Sequence, residues 1–289
     1  MLDLMVAPIV AALVILSIHA YLGLHVIGRG VIFVDLAFAQ IAALGTTVAL
    51  LMGIEPGSTL SLMFALGFTV LAAILFSLTR MEESVVPQEA VIGISYVVAS
   101  AAVILLAGLT AEGAEHVSET LTGSLIWIDW ATIAKMAAAY VVIGAVHLAL
   151  RRSFLAVTFV PERATRIRLW DFFFYVTFGV VIAFSVEVAG VLMVFSALVV
   201  PAVIAFLYTK RFLPALLIAW FSGTVAVVGG ISTSFYMDLP TGPFLVVAFG
   251  IVLAGAAALR PLITASPRGR IVVASLMGGD AEGAPEPPS

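Results

Sequence analysis

Residues 172–209 read FFFYVTFGVVIAFSVEVAGVLMVFSALVVPAVIAFLYT and carry one charged side chain, Glu187. A helix rises about 1.5 Å per residue and needs roughly 20 apolar residues to cross about 30 Å of hydrocarbon. Residues 188–209 reach that length without a charge, and 172–186 reaches it when Glu187 sits at an interface. The stretch reads as two spanning helices joined by a very tight turn at Glu187. Charge-free windows also run over 4–28, 36–54, 56–79, 90–111, 212–237 and 239–259. A shorter one, 136–150, becomes a span when Lys135 lies near its outer end. The expected fold class is all-α: a polytopic membrane protein of about nine transmembrane helices, eight to nine. Backbone groups in lipid must bond within their own segment, and the alternation of a barrel strand is absent.

Composition points the same way. Of 289 residues 63% are apolar and 10% charged, and mean hydropathy is +1.21. A soluble domain of this length has too little interior to hide so much apolar surface. There is no cysteine, which excludes disulfides, Fe–S clusters and thiolate metal sites. The net charge of -4 comes with no basic block suited to nucleic acid. The apolar run 4–28 lacks the pattern of a cleaved signal and reads as a retained first span.

Charge placement gives orientation. Gaps one, three, five and seven between spans, together with the C-terminal tail, hold 12 of the 13 Lys and Arg residues, Lys135 being the exception. They include Arg29, Arg80, Arg151, Arg152, Arg166, Lys210 and Arg211. The even gaps carry Glu55, then Glu112, Glu115, Glu119 and Asp129, then Glu187, then Asp238. The positive-inside rule puts the odd gaps and the C-terminus in the cytoplasm, and the N-terminus outside. Residues 151–170 form a basic, amphipathic cytoplasmic loop long enough for one or two short helices. The membrane domain is expected over 1–262. Residues 263–289, ending GGDAEGAPEPPS, read as a disordered cytoplasmic tail.

No phosphate-binding G-x-x-x-x-G-K-[ST] loop, H-E-x-x-H helix or G-x-S-x-G turn occurs, so energy from ATP would come from another chain and nothing asks for an enzyme. Asp35 lies inside the second span, where an ionised carboxylate costs about 2.5–3.5 kcal/mol at the helix centre. Either it lines a cation path with Gln40 as a second oxygen donor, or it sits near the cytoplasmic interface and pairs with Arg29. Glu187 either lines an outer vestibule that gathers cations or marks a helix end. Lys135 is expected to snorkel, and His25 and His147 to be helix-end residues near the cytoplasmic face. Glu112, Glu115, His116 and Glu119 read as a solvated outer loop. The small-residue runs GISYVVASAAVILLAG and GTVAVVGGIS are expected to serve close helix packing.

Four ordered segments are similar to the permease subunits of the zinc and manganese ABC importers. They are LGLHVIGRGVIFVDLAFAQIAALG (22–45), PQEAVIGISYVVASA (87–101), RRSFLAVTFVPERATRIRLW (151–170), and VAGVLMVFSALVVPAVIA with FYMDLPTGPFLVVAFG (188–205 and 235–250). The resemblance implies a type II ABC-importer-like bundle in a bacterial or archaeal inner membrane, working as a homodimer surrounded by lipid. It implies a separate ABC ATPase docking on Phe159, Pro161, Glu162 and Ala164, and an extracytoplasmic metal-binding protein. The cargo would be a divalent metal ion, zinc or manganese and in some members iron, with no cofactor held by this chain. The chain departs from the family at Gln40, where members carry a histidine, at Asp35, where they have glycine, and at Leu36, where they have the aspartate. Val160 stands at the usual aspartate of the docking loop. Permeases for chelated substrates, such as iron–siderophore or cobalamin systems, and stand-alone secondary carriers are the competing readings.

Overall fold

The computed structural model describes residues 2–80, 86–109, 118, 120–123 and 125–265. Among them the secondary structure is helical throughout. The elements are α1 (Leu2–Arg29), α2 (Val34–Leu51), α3 (Thr59–Thr79), α4 (Gln88–Ala107), α5 (Trp130–Ala149), α6 (Arg151–Phe159), α7 (Ile167–Tyr208), α8 (Phe212–Tyr236) and α9 (Thr241–Ala265). Short 3₁₀ turns occupy Leu125–Trp127 and Pro161–Arg163.

Helix starts follow local chemistry. Ser58 accepts a hydrogen bond from the Ser61 N–H at the head of α3. Asp129 caps α5, accepting from the Thr132 N–H at 2.9 Å and the Thr132 hydroxyl at 2.8 Å. Those bonds, the backbone one first, hold the Asp129 carboxyl below its usual range.

Eight of the described helices are long and apolar enough to cross a bilayer. One of them, α7, has 42 residues, about 63 Å of helix and twice the thickness of the hydrocarbon. It crosses twice, doubling back at Gly190, whose φ of 75° and ψ of 158° break the helix. The contacts trace the hairpin. Asp171 at its start meets Arg29 and Arg80, the ends of α1 and α3. Glu187 approaches Gly57 in the turn between α2 and α3, at the opposite end of the bundle. On the return, Leu198 and Ala202 pack against Gly23, and Phe212 just beyond the hairpin rests on Tyr21 and His25. Among the described residues the crossings therefore number nine, with the reversal three residues later than the charge at Glu187 marks. Glu187 itself is still helical and exposed.

The core is built from α1 and α7, whose Leu22, Leu24, Val26, Phe174, Phe178, Val181 and Ile182 are fully enclosed. The outer wall is apolar: Leu71, Val97, Ile104, Val141, Phe221 and Ile251 are all more than 60% exposed, the inverse of a soluble surface. Small residues do allow close packing in α8, where a side chain at Gly230 would lie 2.9 Å from Ala248. In α4 the run is divided: Ala99, Val103 and Ala107 are buried against α2, while Gly93 has no neighbour within 4 Å of where a side chain would start. The last helix continues through Pro261 to Ala265, past the expected boundary at 262. Residues 266–289, and Glu112, Glu115, His116 and Glu119 of the outer loop, lie outside the described residues.

Candidate functional site

Asp35 falls in the first turn of α2, 1% exposed, and neither carboxylate oxygen has a hydrogen-bond partner among the described residues. Arg29, the cation expected to pair with it, is engaged elsewhere, 2.6 Å from Asp171. The interfacial-pair reading of Asp35 is thereby corrected. A buried, unsatisfied carboxylate is costly, and proteins keep such groups where they have work to do.

At about 100° per residue, Ala42 and Thr46 lie within about 20° of Asp35 around α2, one stripe running toward the outer face. Both line a cavity of about 310 Å³ together with Ser61, Ala183 and Glu187. Glu187 also lines a second outer cavity of about 570 Å³, shared with Asp129 and Lys135. Lys135 thus borders a charged vestibule. Phe38 stands on α2 one turn beyond Asp35. Its ring centroid lies 5.4 Å from Phe76, 5.5 Å from Phe178 and 6.2 Å from Tyr175, all fully buried. Along α2 the order is Asp35, then the Phe38 ring cluster, then the cavity lined by Ala42, Thr46 and Glu187.

Gln40 is buried but five residues from Asp35, about 140° around the helix, so the two do not share a face. Among the described residues no three His, Asp or Glu side chains converge as a metal cage. A larger cavity of about 700 Å³ lies between α1, α5, α6 and α8 and contains none of the expected site residues.

Residues 151–163 fold as α6 followed by the Pro161–Arg163 turn. Phe159 and Val160 are 40% and 37% exposed and Glu162 is exposed, so this corner is presented outward. His25 and His147 are buried near that end, among the described residues His147 bonded through both ring nitrogens and His25 through Nδ1 alone. His25 meets Thr158, and His147 meets Tyr21 and Thr177.

Sequence reasoning missed Asp171. It is fully buried, held by Arg29 at 2.6 Å and by Arg80 through both oxygens at 2.7 and 2.9 Å. The available signal was an acid opening a long apolar run, with no other acid between Glu162 and Glu187.

A profile of the ABC 3 transport family matches residues 1–260. The chain is 29% identical over 139 residues to the chelated iron transport system membrane protein YfeD of Yersinia pestis, covering 46% of each chain. The match thus spans about half the length of that relative. Among solved structures, PsaBC from Streptococcus pneumoniae, in complex with Fab, superposes with a TM-score of 0.73 at 16% identity, covering 91% of this chain and 92% of the other. An inward-facing metal-chelate type ABC transporter superposes with a TM-score of 0.64 at 17% identity, covering 86% and 84%. At those identities the likeness is one of fold.

Proposed function

The chain belongs to the ABC 3 transport family and is a permease of an ABC transporter, and from that premise we propose that it imports a divalent metal ion. Two copies would form the transporter with a separate ATPase, and an extracytoplasmic binding protein would deliver the ion to the mouth at Glu187. One observation carries the choice of cargo: a buried carboxylate with both oxygens unpartnered, on the same stripe of α2 as the Ala42 and Thr46 that line the cavity at Glu187. A cation passing Asp35 supplies the charge that the protein withholds. The donor is a hard oxygen and Gln40 points elsewhere, which favours manganese or ferrous iron over zinc. The basic ends at Arg29, Arg80 and Arg151 would face the cytoplasm, with the N-terminus outside.

The test is uptake by vesicles holding the chain with its ATPase and binding protein. Manganese, ferrous and zinc ions and an iron chelate are offered separately, with and without ATP. ATP-dependent entry of a free ion is expected. Flux through the chain alone would establish a secondary carrier instead, and entry of the chelate alone would establish a chelate permease. In the same vesicles, Asp35→Asn is expected to slow uptake about tenfold. Thermal stability should not fall, because the carboxylate it removes has no partner to lose. Equal uptake by the two proteins across a concentration series would remove Asp35 from the path.

A further inference from the structure

At the cytoplasmic end, five residues from four elements close a ring. The Thr158 hydroxyl oxygen, in the last turn of α6, accepts from the Arg29 Nε–H at 3.1 Å and lies 2.7 Å from His25 Nδ1. Arg29 can only donate, so the Thr158 oxygen is the acceptor in that bond, while either atom can donate in the bond to His25, according to the imidazole tautomer. The same Arg29 guanidinium donates to Asp171 at the start of α7. Arg80, at the end of α3, holds both Asp171 oxygens and donates at 3.1 Å to the carbonyl of Val157. The ring thus runs Thr158, Arg29, Asp171, Arg80 and Val157, back to Thr158 along the chain. Arg29 lies 3.8 Å over the face of Phe174, and Thr158 is 4% exposed.

We propose that Thr158 is a positioning residue for ATP-driven transport. Through it, α6 is latched to α1, α3 and α7, so that displacement of the docking corner moves the membrane helices with it. This rests on the reading of Phe159, Pro161 and Glu162 as the ATPase-facing corner.

Helices shorter than about 12–15 residues are marginal alone, so the nine residues of α6 need tertiary anchors. One anchor is apolar: the Phe154 ring stacks on His147 with centroids 4.1 Å apart and 5° between planes. Such a contact can slide under load. The ring cannot, because its donors and acceptors are directional and water is excluded from them. The load also has a short route. Phe159, half out of the protein, is the next residue after Thr158. Its ring packs where a side chain on Gly28 would stand, 2.6 Å from the Cβ position, and touches Phe212. A hydroxyl at 158 hydrogen-bonds Arg29 and His25 at once, which valine of the same shape cannot do.

The experiment uses the complete transporter, with ATPase and binding protein, in vesicles, and reads ions imported per ATP hydrolysed for wild type, Thr158→Val and Thr158→Ser. We expect Thr158→Val to lower that ratio about tenfold and Thr158→Ser to keep it within about twofold. A residue serving folding alone would reduce uptake and hydrolysis together and leave the ratio unchanged, which overturns the latch. If Thr158→Val fails to assemble, Arg29→Lys takes its place. It keeps a cation for Asp171 but has no Nε–H for Thr158, and the same drop is expected; an unchanged ratio there overturns the latch equally. A wild-type transporter that imports no ion with ATP overturns the functional reading and the latch with it. Import by wild type with an unchanged Thr158→Val ratio overturns the latch alone.

Discussion

Asp171→Asn is expected to be among the most destabilising conservative changes in this chain. Among the described residues Asp171 is the only counter-charge given to Arg29 and Arg80, whose side chains are 2% and 17% exposed. Removing one partner from a buried ionic cluster costs about 3–5 kcal/mol, because the charge left behind has neither water nor anion. Here two guanidiniums are left. One of them, Arg29, already has a buried Nη2 without a partner. In purified protein in detergent the midpoint of thermal unfolding should fall on the order of 10 °C. Added salt should not restore it, since the cluster lies out of reach of mobile ions. Arg80→Leu should cost less: it is the more exposed cation, and the Arg29–Asp171 pair then becomes a neutral one. The order of the two variants is the diagnostic. Asp171→Asn melting at the wild-type temperature, or above Arg80→Leu, would mean that the cluster is not what holds the cytoplasmic ends together.

That cluster also shows where reading the sequence stops. Charge-free apolar windows are a property of neighbouring residues, so they yielded the crossing count directly, including a turn beside Glu187, and the placement of Lys and Arg supported it. One or two short helices within 151–170 were expected from its length and amphipathic pattern; that one helix forms and ends in a turn at Pro161–Arg163 was not. Asp171 follows from neither. Its partners stand 142 and 91 residues away in the chain, while Arg166 and Arg168 stand close by in sequence. Nothing local says which cations it will meet. Asp35 was legible as a residue type in the wrong medium, but that it is left unpaired is a fact about packing. Its separation from Gln40 was legible in the helical period, five residues being nearly half a turn out of phase. The turn at Gly190 was not, because glycines are frequent in spanning helices and most of those here sit in regular α conformation.

Gly190→Ala tests that turn, and its effect should be of the same order. A φ of 75° with ψ of 158° belongs to a region essentially reserved for glycine, where a residue with a side chain costs about 1–3 kcal/mol. Space adds to this. A Cβ at 190 would lie 2.5 Å from Gly123 N, 2.6 Å from Thr122 C and 2.7 Å from Leu121 O. These are backbone atoms, which no rotamer change can clear. Gly123, with φ of 70°, faces Ala189 and Gly190 just as closely from the other side, so Gly123→Ala should injure the same contact. The double variant should then cost less than the two single costs added, because either methyl alone has already forced the strands of chain apart. Gly93→Ala supplies the control: it has a regular helical backbone and no atom within 4 Å, so alanine should be neutral, or stabilising by up to about 1 kcal/mol. The chain has no cysteine, so a single Glu187→Cys reports on the vestibule without background. Its thiol should become more reactive to a membrane-impermeant reagent when Gly190→Ala is added, as the outer end of the hairpin opens. Unchanged melting and unchanged labelling in Gly190→Ala would mean that the chain does not reverse there and that α7 is not two crossings.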